Sequence, residues 1–251
     1  MIFAAGLGTR LRPITDSIPK ALVPVDGQPM LKRIICKLRD SGISGFVVNA
    51  CHFKEKVVDF LASEDFGVKV SVSIEDGSTP LETGGGIKHA EPLLRSSCCE
   101  SAGRFLVHNV DILSNLDINW FLKQDEALCA ESPTLATLLV TETTADRYLL
   151  FDDRMRLMGW TNVRTGEVKS PFPDFDPGKY RKLSFCGIHI ISEDVFGLME
   201  EWPEHFSIID FYLKAAAGSR ICGVLADNLK LIDIGSPDKL ALANAEISEF
   251  I

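Results

Sequence analysis

The 251-residue chain lacks any apolar run near the ~18 residues that span a bilayer. It lacks excess positive charge as well: 26 Lys and Arg stand against 35 Asp and Glu, a formal charge of −9. A nucleic-acid surface needs the opposite balance, so neither a membrane nor a nucleic acid is expected as a partner. Cysteines 36, 51, 98, 99, 129, 186 and 222 form no CxxC pair, which removes the common zinc and thiol-redox spacings. Their odd number in a domain this large reads as reduced, mostly buried thiols in a cytoplasmic protein. The histidines show no metal-ligand spacing, and His89 and His189 read as surface or packing residues. No basic segment precedes the first strand, so no signal peptide is expected, and the shortness of that strand points to a native start a few residues before Met1. Internal repeats and low-complexity segments are missing. So are two common phosphate loops: GxxxxGK[ST] does not occur, and the third glycine of the dinucleotide fingerprint is absent.

What is present begins at the N-terminus. The apolar run Ile2-Phe3-Ala4-Ala5 reads as a buried strand, and Gly6-Leu7-Gly8-Thr9-Arg10-Leu11-Arg12-Pro13 follows it directly, closed by Pro19-Lys20. A glycine turn leaving a strand lets backbone N–H groups approach an anion without a Cβ in the way. Arg10, Arg12 and Lys20 add fixed positive charge within a few residues. Such a loop suits a triphosphate.

The run from Gly6 to Lys20 resembles the signature loop of the sugar-1-phosphate nucleotidyltransferases, G-x-G-T-R-L-x-P-x-T followed by P-K, and matches every fixed position. The resemblance implies that Ala5, Gly6, Gly8 and Thr9 wrap the nucleotide. It also implies that Arg10 and Lys20 hold the phosphates that leave as pyrophosphate.

Asp111 follows the apolar strand Phe105-Leu106-Val107. A carboxylate there faces the crevice where ligands of parallel sheets bind, and it would equally cap a helix near Asn119. Asn109-Val110-Asp111 is similar to the family's N-G-D, with Val110 in place of glycine. By that match Asp111 is a catalytic Mg2+ ligand and Asn109 a sugar contact. Asp233 stands alone between apolar residues in Leu231-Ile232-Asp233-Ile234-Gly235-Ser236-Pro237. Such a charge is costly unless it meets a partner or a metal. The segment is similar to the family's W-x-D-x-G-T-P, which implies that Asp233 is the second Mg2+ ligand.

Pro80-Leu81-Glu82-Thr83-Gly84-Gly85-Gly86 sets a glycine run before a predicted helix, over residues 86–94, whose N-terminus attracts anions. The resemblance places the nucleoside against Glu75, Pro80, Thr83, Gly84 and Gly85. The string P-L-E-T-G-G-G-I looks most like the small N-acetylmuramate-1-phosphate uridylyltransferases, and related strings occur in mannose-1-phosphate guanylyltransferases. Phe185-Cys186-Gly187-Ile188 is similar to an F-x-G-I element whose glycine makes room for the sugar. A strand glycine easing a bulge explains Gly187 equally well. Lys179, Arg181 and Lys182 fit either a phosphate contact or a solvated edge.

Strands and helices alternate through the first half, with Leu31, Ile34, Ile35 and Leu38 at helical spacing and Val68, Val70, Val72 and Ile74 at strand spacing. Alternation of this kind predicts an α/β fold, a Rossmann-like mixed, mainly parallel sheet covered by helices on both faces. Residues 148–180 are rich in Asp, Pro, Gly and Arg and predict short antiparallel strands. Ser236 is a predicted N-cap with Pro237 at the first helical position. The resemblance covers nearly the whole chain. It implies one nucleotidyltransferase domain over 1–251, with a nucleotide half at 1–115 and a sugar-phosphate half at 116–251. The implied reaction joins an NTP to a sugar 1-phosphate with Mg2+, giving an NDP-sugar and pyrophosphate. A cytidylyltransferase acting on a phosphorylated alcohol, or a non-catalytic nucleotide-sugar sensor, are the other readings.

Overall fold

Leu31, Ile34, Ile35 and Leu38 line the inner face of one helix, each at most 3% exposed. Full burial of such a side chain is worth about 1.5–3 kcal/mol, which fixes this helix against the sheet. The computed structural model describes residues 1–77, 79–97 and 103–250, so Cys98 and Cys99 lie outside the described residues. The strands are β1 (Ile2–Phe3), β2 (Pro24–Val25), β3 (Gln28–Pro29), β4 (Gly45–Ala50), β5 (Lys69–Ile74), β6 (Arg104–Asn109), β7 (Ile112–Ser114), β8 (Ala136–Thr141), β9 (Arg147–Phe151), β10 (Leu157–Asn162), β11 (Glu167–Lys169), β12 (Arg181–Ser192), β13 (Ile221–Leu225) and β14 (Leu231–Asp233). The helices are α1 (Met30–Asp40), α2 (Lys54–Ser63), α3 (Glu82–His89), α4 (Glu91–Ser97), α5 (Ile118–Glu131), α6 (Val195–Met199), α7 (Ile208–Ala215) and α8 (Pro237–Ala245).

The main sheet runs β11-β10-β9-β12-β6-β1-β4-β5, with β8 also paired to β12 and β13 beyond β8. β1, β4, β5 and β6 pair in parallel, as do β8 and β13. The long strand β12 runs antiparallel to β6, β8 and β9. The sheet is therefore the mixed Rossmann-like type that the alternation predicts, and helices cover both faces. Strand alternation divides the core. Ile2, Phe46, Val48 and Leu106 join the α1 side chains on one face. Met1, Val47, Phe105 and Val107 join Ile87, Phe196 and Phe211 on the other. Between residues 148 and 180 the expected antiparallel strands appear as β9, β10 and β11.

Two differences from the sequence reading bear on the site. The glycine run is inside a helix: α3 starts at Glu82, and a second helix, α4, begins at Glu91. The short ribbon of β7 against β14 was not expected, because each strand is only 3 residues long. Cys36, Cys51, Cys129, Cys186 and Cys222 are free thiols. Among the described residues no helix is long and apolar enough to cross a membrane.

Candidate active site

The β7·β14 ribbon brings together residues that are distant in sequence. Asp233 pairs in register with Ile112, and the Ile234 N–H donates to the Asp111 carbonyl at 3.0 Å. Asp111 and Asp233 thereby lie side by side at the C-terminal end of β6. Lys20 sits between them. Its ammonium donates to Asp111 Oδ2 and lies 3.8 Å from Asp233 Oδ1. Lys20 is 11% exposed, so this contact is shielded from solvent. Arg10 Nη2 and Lys239 Nζ approach Asp233 Oδ2 at 3.7 and 3.5 Å from more open positions. Partial burial opposes the charge on Asp233, but Lys20, Lys239 and Arg10 outweigh it and hold its carboxyl below the ordinary value.

Helix capping does not account for Asp111. The N-cap of α5 is Asp117, whose carboxylate accepts from the Trp120 N–H at 3.0 Å. Asp111 faces a cleft of about 210 Å³ with Ala4, Ala5, Gly6, Lys20 and Asn109 on its near side and Pro80, Glu82 and Thr83 opposite. A Cβ at Gly6 would meet nothing within 4 Å, so this turn opens onto free space. Gly8 is different. It takes φ +64°, its carbonyl accepts from the Thr15 hydroxyl at 2.7 Å, and a Cβ there would press on Thr15 and Lys20. Gly8 thus sets the loop that seats Lys20, while Thr9 is exposed at the start of the following 3-10 turn. Gly235 serves the same constellation: its Cβ would fall 2.6 Å from Arg10 Nη2 and 2.7 Å from Asp233 Oδ1.

Several residues expected at the nucleotide have partners within the protein. Glu75 is 1% exposed and fully engaged. Its Oε1 accepts from Asn49 Nδ2 at 2.7 Å and its Oε2 from the Leu81 N–H at 2.9 Å, so it supports the cleft wall from behind. The N–H groups of Gly84 and Gly85 both donate to the Phe206 carbonyl, at 2.9 and 3.2 Å. A Cβ on Gly84 would overlap the Phe206 ring, and one on Gly85 the Glu204 carbonyl. These glycines let α3 pack against the 204–206 segment; they are not a loop bare to ligand. Thr83 lines the cleft while its hydroxyl accepts from the Ile208 N–H at 3.0 Å. Gly187 lies at a register shift of β12 against β8, with φ +72°. That is the bulge reading of this glycine, and a Cβ there would sit 2.5 Å from Asn109 Nδ2. It makes room for a side chain that lines the cleft.

The sequence reading missed Asn49 and Lys239. Asn49 lines the cleft, and its Oδ1 accepts from the Ala4 N–H at 2.8 Å. Its signal was a lone amide near the end of the otherwise apolar β4. Lys239 follows Ser236, whose side chain caps α8 as expected.

Among the described residues no cluster of three His, Cys, Asp or Glu could hold a metal. The Asp111–Asp233 pair nevertheless fits a cation carried by a nucleotide, since Mg2+ there takes one or two carboxylates and completes its shell with phosphate and water oxygens. Asp233 Oδ1 is buried without a hydrogen-bond partner, and the Lys20 ammonium stands between the two carboxylates as a cation already does.

The chain is similar to known proteins. Residues 1–150 match the nucleotidyl transferase family model. The chain is 29% identical to the N-acetylmuramate alpha-1-phosphate uridylyltransferase of Caulobacter vibrioides over 99% of this chain and 96% of that protein. It is 27% identical to the D-glycero-alpha-D-manno-heptose 1-phosphate guanylyltransferase of Campylobacter jejuni over 95% of each. The crystal structure of HddC from Yersinia pseudotuberculosis complexed with GMP-PN shares the fold, with a TM-score of 0.69 at 23% identity over 98% of this chain and 97% of that one. The family model covers more than half of the chain, and the chain belongs to the nucleotidyl transferase family, as an enzyme of the sugar-1-phosphate nucleotidyltransferase type.

Proposed function

We propose that the enzyme condenses UTP with N-acetylmuramate 1-phosphate, giving UDP-N-acetylmuramate and pyrophosphate, in the cytoplasm and with Mg2+. The observation that carries the reaction is Lys20 held between Asp111 and Asp233 beside the open turn at Gly6. The substrate choice is supported by the likeness to the Caulobacter uridylyltransferase over nearly all of both chains. Residues 1–115 would supply the nucleotide side of the cleft and residues 116–251 the acceptor side.

A phosphate oxygen of the sugar 1-phosphate attacks the α-phosphorus in line, and the bond from that phosphorus to the bridging oxygen of the β-phosphate breaks. No protein nucleophile is needed, because the attacking group is already an anion. Catalysis is then positioning and charge neutralisation. Asp111 and Asp233 would hold Mg2+, which would supply positive charge to the reacting phosphates. Lys20 leaves its carboxylate partners to meet phosphate oxygens, and Arg10, on the rim, draws off the charge building on pyrophosphate. Asn109 and the backbone from Ala5 to Gly8 orient the two substrates.

GTP with mannose 1-phosphate or a related sugar phosphate is the second reading, favoured by the likeness to the Campylobacter guanylyltransferase. Pyrophosphate release separates the two readings, with UTP, GTP, dTTP, CTP and ATP crossed against N-acetylmuramate, N-acetylglucosamine, mannose and glucose 1-phosphates. Release that requires UTP and N-acetylmuramate 1-phosphate together supports the first reading. Release confined to GTP with a neutral sugar phosphate overturns it.

A further inference from the structure

A second cavity, of about 580 Å³, opens beside the cleft on the β9-β10-β12 part of the sheet. Glu82, held at φ +62°, lines both spaces, so a molecule reaching from the paired carboxylates can continue into it. Its walls combine aromatic rings with charged groups: Tyr148, Trp160 and Phe185 stand beside Arg147, Lys169 and Asp210. Volumes of this order, apolar walls and a few convergent polar groups describe a small-molecule pocket.

The charges in that cavity are unevenly committed. Lys169 is neutralised: its ammonium lies 3.1 Å from Asp210 Oδ1 and 3.8 Å from Glu167 Oε1, and 5.2 Å above the Trp160 ring. The two carboxylates just before Arg147 in the chain are taken by other arginines. Asp146 pairs with Arg164 at 3.2 Å, and Glu142 with Arg181 at 2.5 Å. Arg147, the first residue of β9, lines the cavity and pairs with no described carboxylate. A guanidinium presents a planar fork of donors that suits a carboxylate or a phosphate in two-point contact.

We propose that this cavity takes the sugar ring of the acceptor and that Arg147 binds a carboxylate carried by that sugar, so that the enzyme selects an acidic sugar 1-phosphate over its neutral counterpart. The proposal rests on the acceptor being a sugar 1-phosphate and names its chemical class. The acceptor's own phosphate cannot fill this role if it sits at Asp111 and Asp233, where the reacting oxygen is needed. Glu82 is then left to accept from a sugar hydroxyl.

N-acetylmuramate and N-acetylglucosamine 1-phosphates differ only in the lactyl ether and its carboxylate, and they form the test pair. For the wild type, Arg147→Met and Arg147→Lys, kcat and KM would be measured with each acceptor and UTP. Calorimetric binding of UDP-N-acetylmuramate and UDP-N-acetylglucosamine would be measured alongside and needs no turnover. The ratio of kcat/KM for the acidic over the neutral acceptor is expected to fall about tenfold or more in Arg147→Met, the worth of a charge-assisted hydrogen bond. The loss should lie in KM for the acidic sugar, and Arg147→Lys should recover part of it. Binding of UDP-N-acetylmuramate should weaken by a like factor relative to UDP-N-acetylglucosamine. An equal loss on both acceptors would assign Arg147 to the phosphate and overturn the proposal, as would an unchanged ratio. Wild-type preference for the neutral sugar overturns it whatever the nucleotide. Use of N-acetylmuramate 1-phosphate with GTP instead of UTP overturns only the nucleotide reading above.

Discussion

Asp233 shows how one residue can carry a site that its neighbours would forbid. Ile232 and Ile234 on either side are buried, and a bare carboxylate between them would be driven to its neutral form. Lys20, Lys239 and Arg10 keep it ionised. Two histidines follow the opposite logic. Burial pushes His108 down to about 4 and His189 down to about 3, with Lys37 adding to the effect at His108 and His108 at His189. Both stay neutral in the folded protein, and His189 Nδ1 meets the Tyr212 hydroxyl at 2.9 Å. In the unfolded chain they take up protons near pH 6.5. The unfolded state therefore binds more protons below that pH, and stability is lost as pH falls from about 6.5 toward 4. At pH 5 the loss is on the order of 1–2 kcal/mol per histidine, which lowers Tm by several degrees relative to pH 7. His189→Gln, which keeps a partner for the Tyr212 hydroxyl, should show a shallower fall; an identical pH profile would refute this assignment. At this scale the sequence was legible wherever charge density or isolation marks a residue, as at Arg10, Lys20, Asp111 and Asp233. It was silent on Lys239, one lysine among many on a helix surface.

At the scale of elements, the glycine run of α3 carried a signal whose meaning depended on the packing partner. Three adjacent glycines read equally as a bare loop or as a helix face pressed against backbone. The partner is the 204–206 segment, more than a hundred residues away, and nothing local announces it. Gly85→Ala gains about 1 kcal/mol in helix propensity but drives a Cβ into the Glu204 carbonyl, and such overpacking costs about 1–3 kcal/mol or more. The collision dominates because a backbone atom cannot swing aside. The variant should show a lower denaturant midpoint and a raised KM for the nucleotide, since Pro80 and Thr83 move with the start of α3. A midpoint at or above the wild-type value would show that α3 is not packed this way. The β7·β14 ribbon was illegible for a simpler reason. Strands this short have no periodicity to detect, and their pairing joins segments about 120 positions apart. The longer elements, α1 and β4 among them, were legible because their apolar spacing states which face is buried.

At the scale of the whole molecule, the acidic chain gathers Arg10, Lys20 and Lys239 around the candidate site. The parallel strands β1, β4 and β6 end on one side of the sheet, and the glycine loop from Gly6, Asn49, Asn109 and Asp111 all lie there. The second half of the chain returns through β12 and β14 to supply Gly187 and Asp233 to that same edge. The alternation of helices and strands shows the first of these facts in the sequence; the second is topology and is visible only in the fold. The β7·β14 ribbon brings Asp111 and Asp233 together as one proposed catalytic centre. The most direct measurement is pyrophosphate release by Asp111→Asn and Asp233→Asn, each beside its own thermal unfolding curve. Each variant should lose about 100-fold or more in kcat, at a Tm within a few degrees of wild type, because the lost charge acts on the transition state. Turnover near the wild-type rate in either folded variant would contradict it.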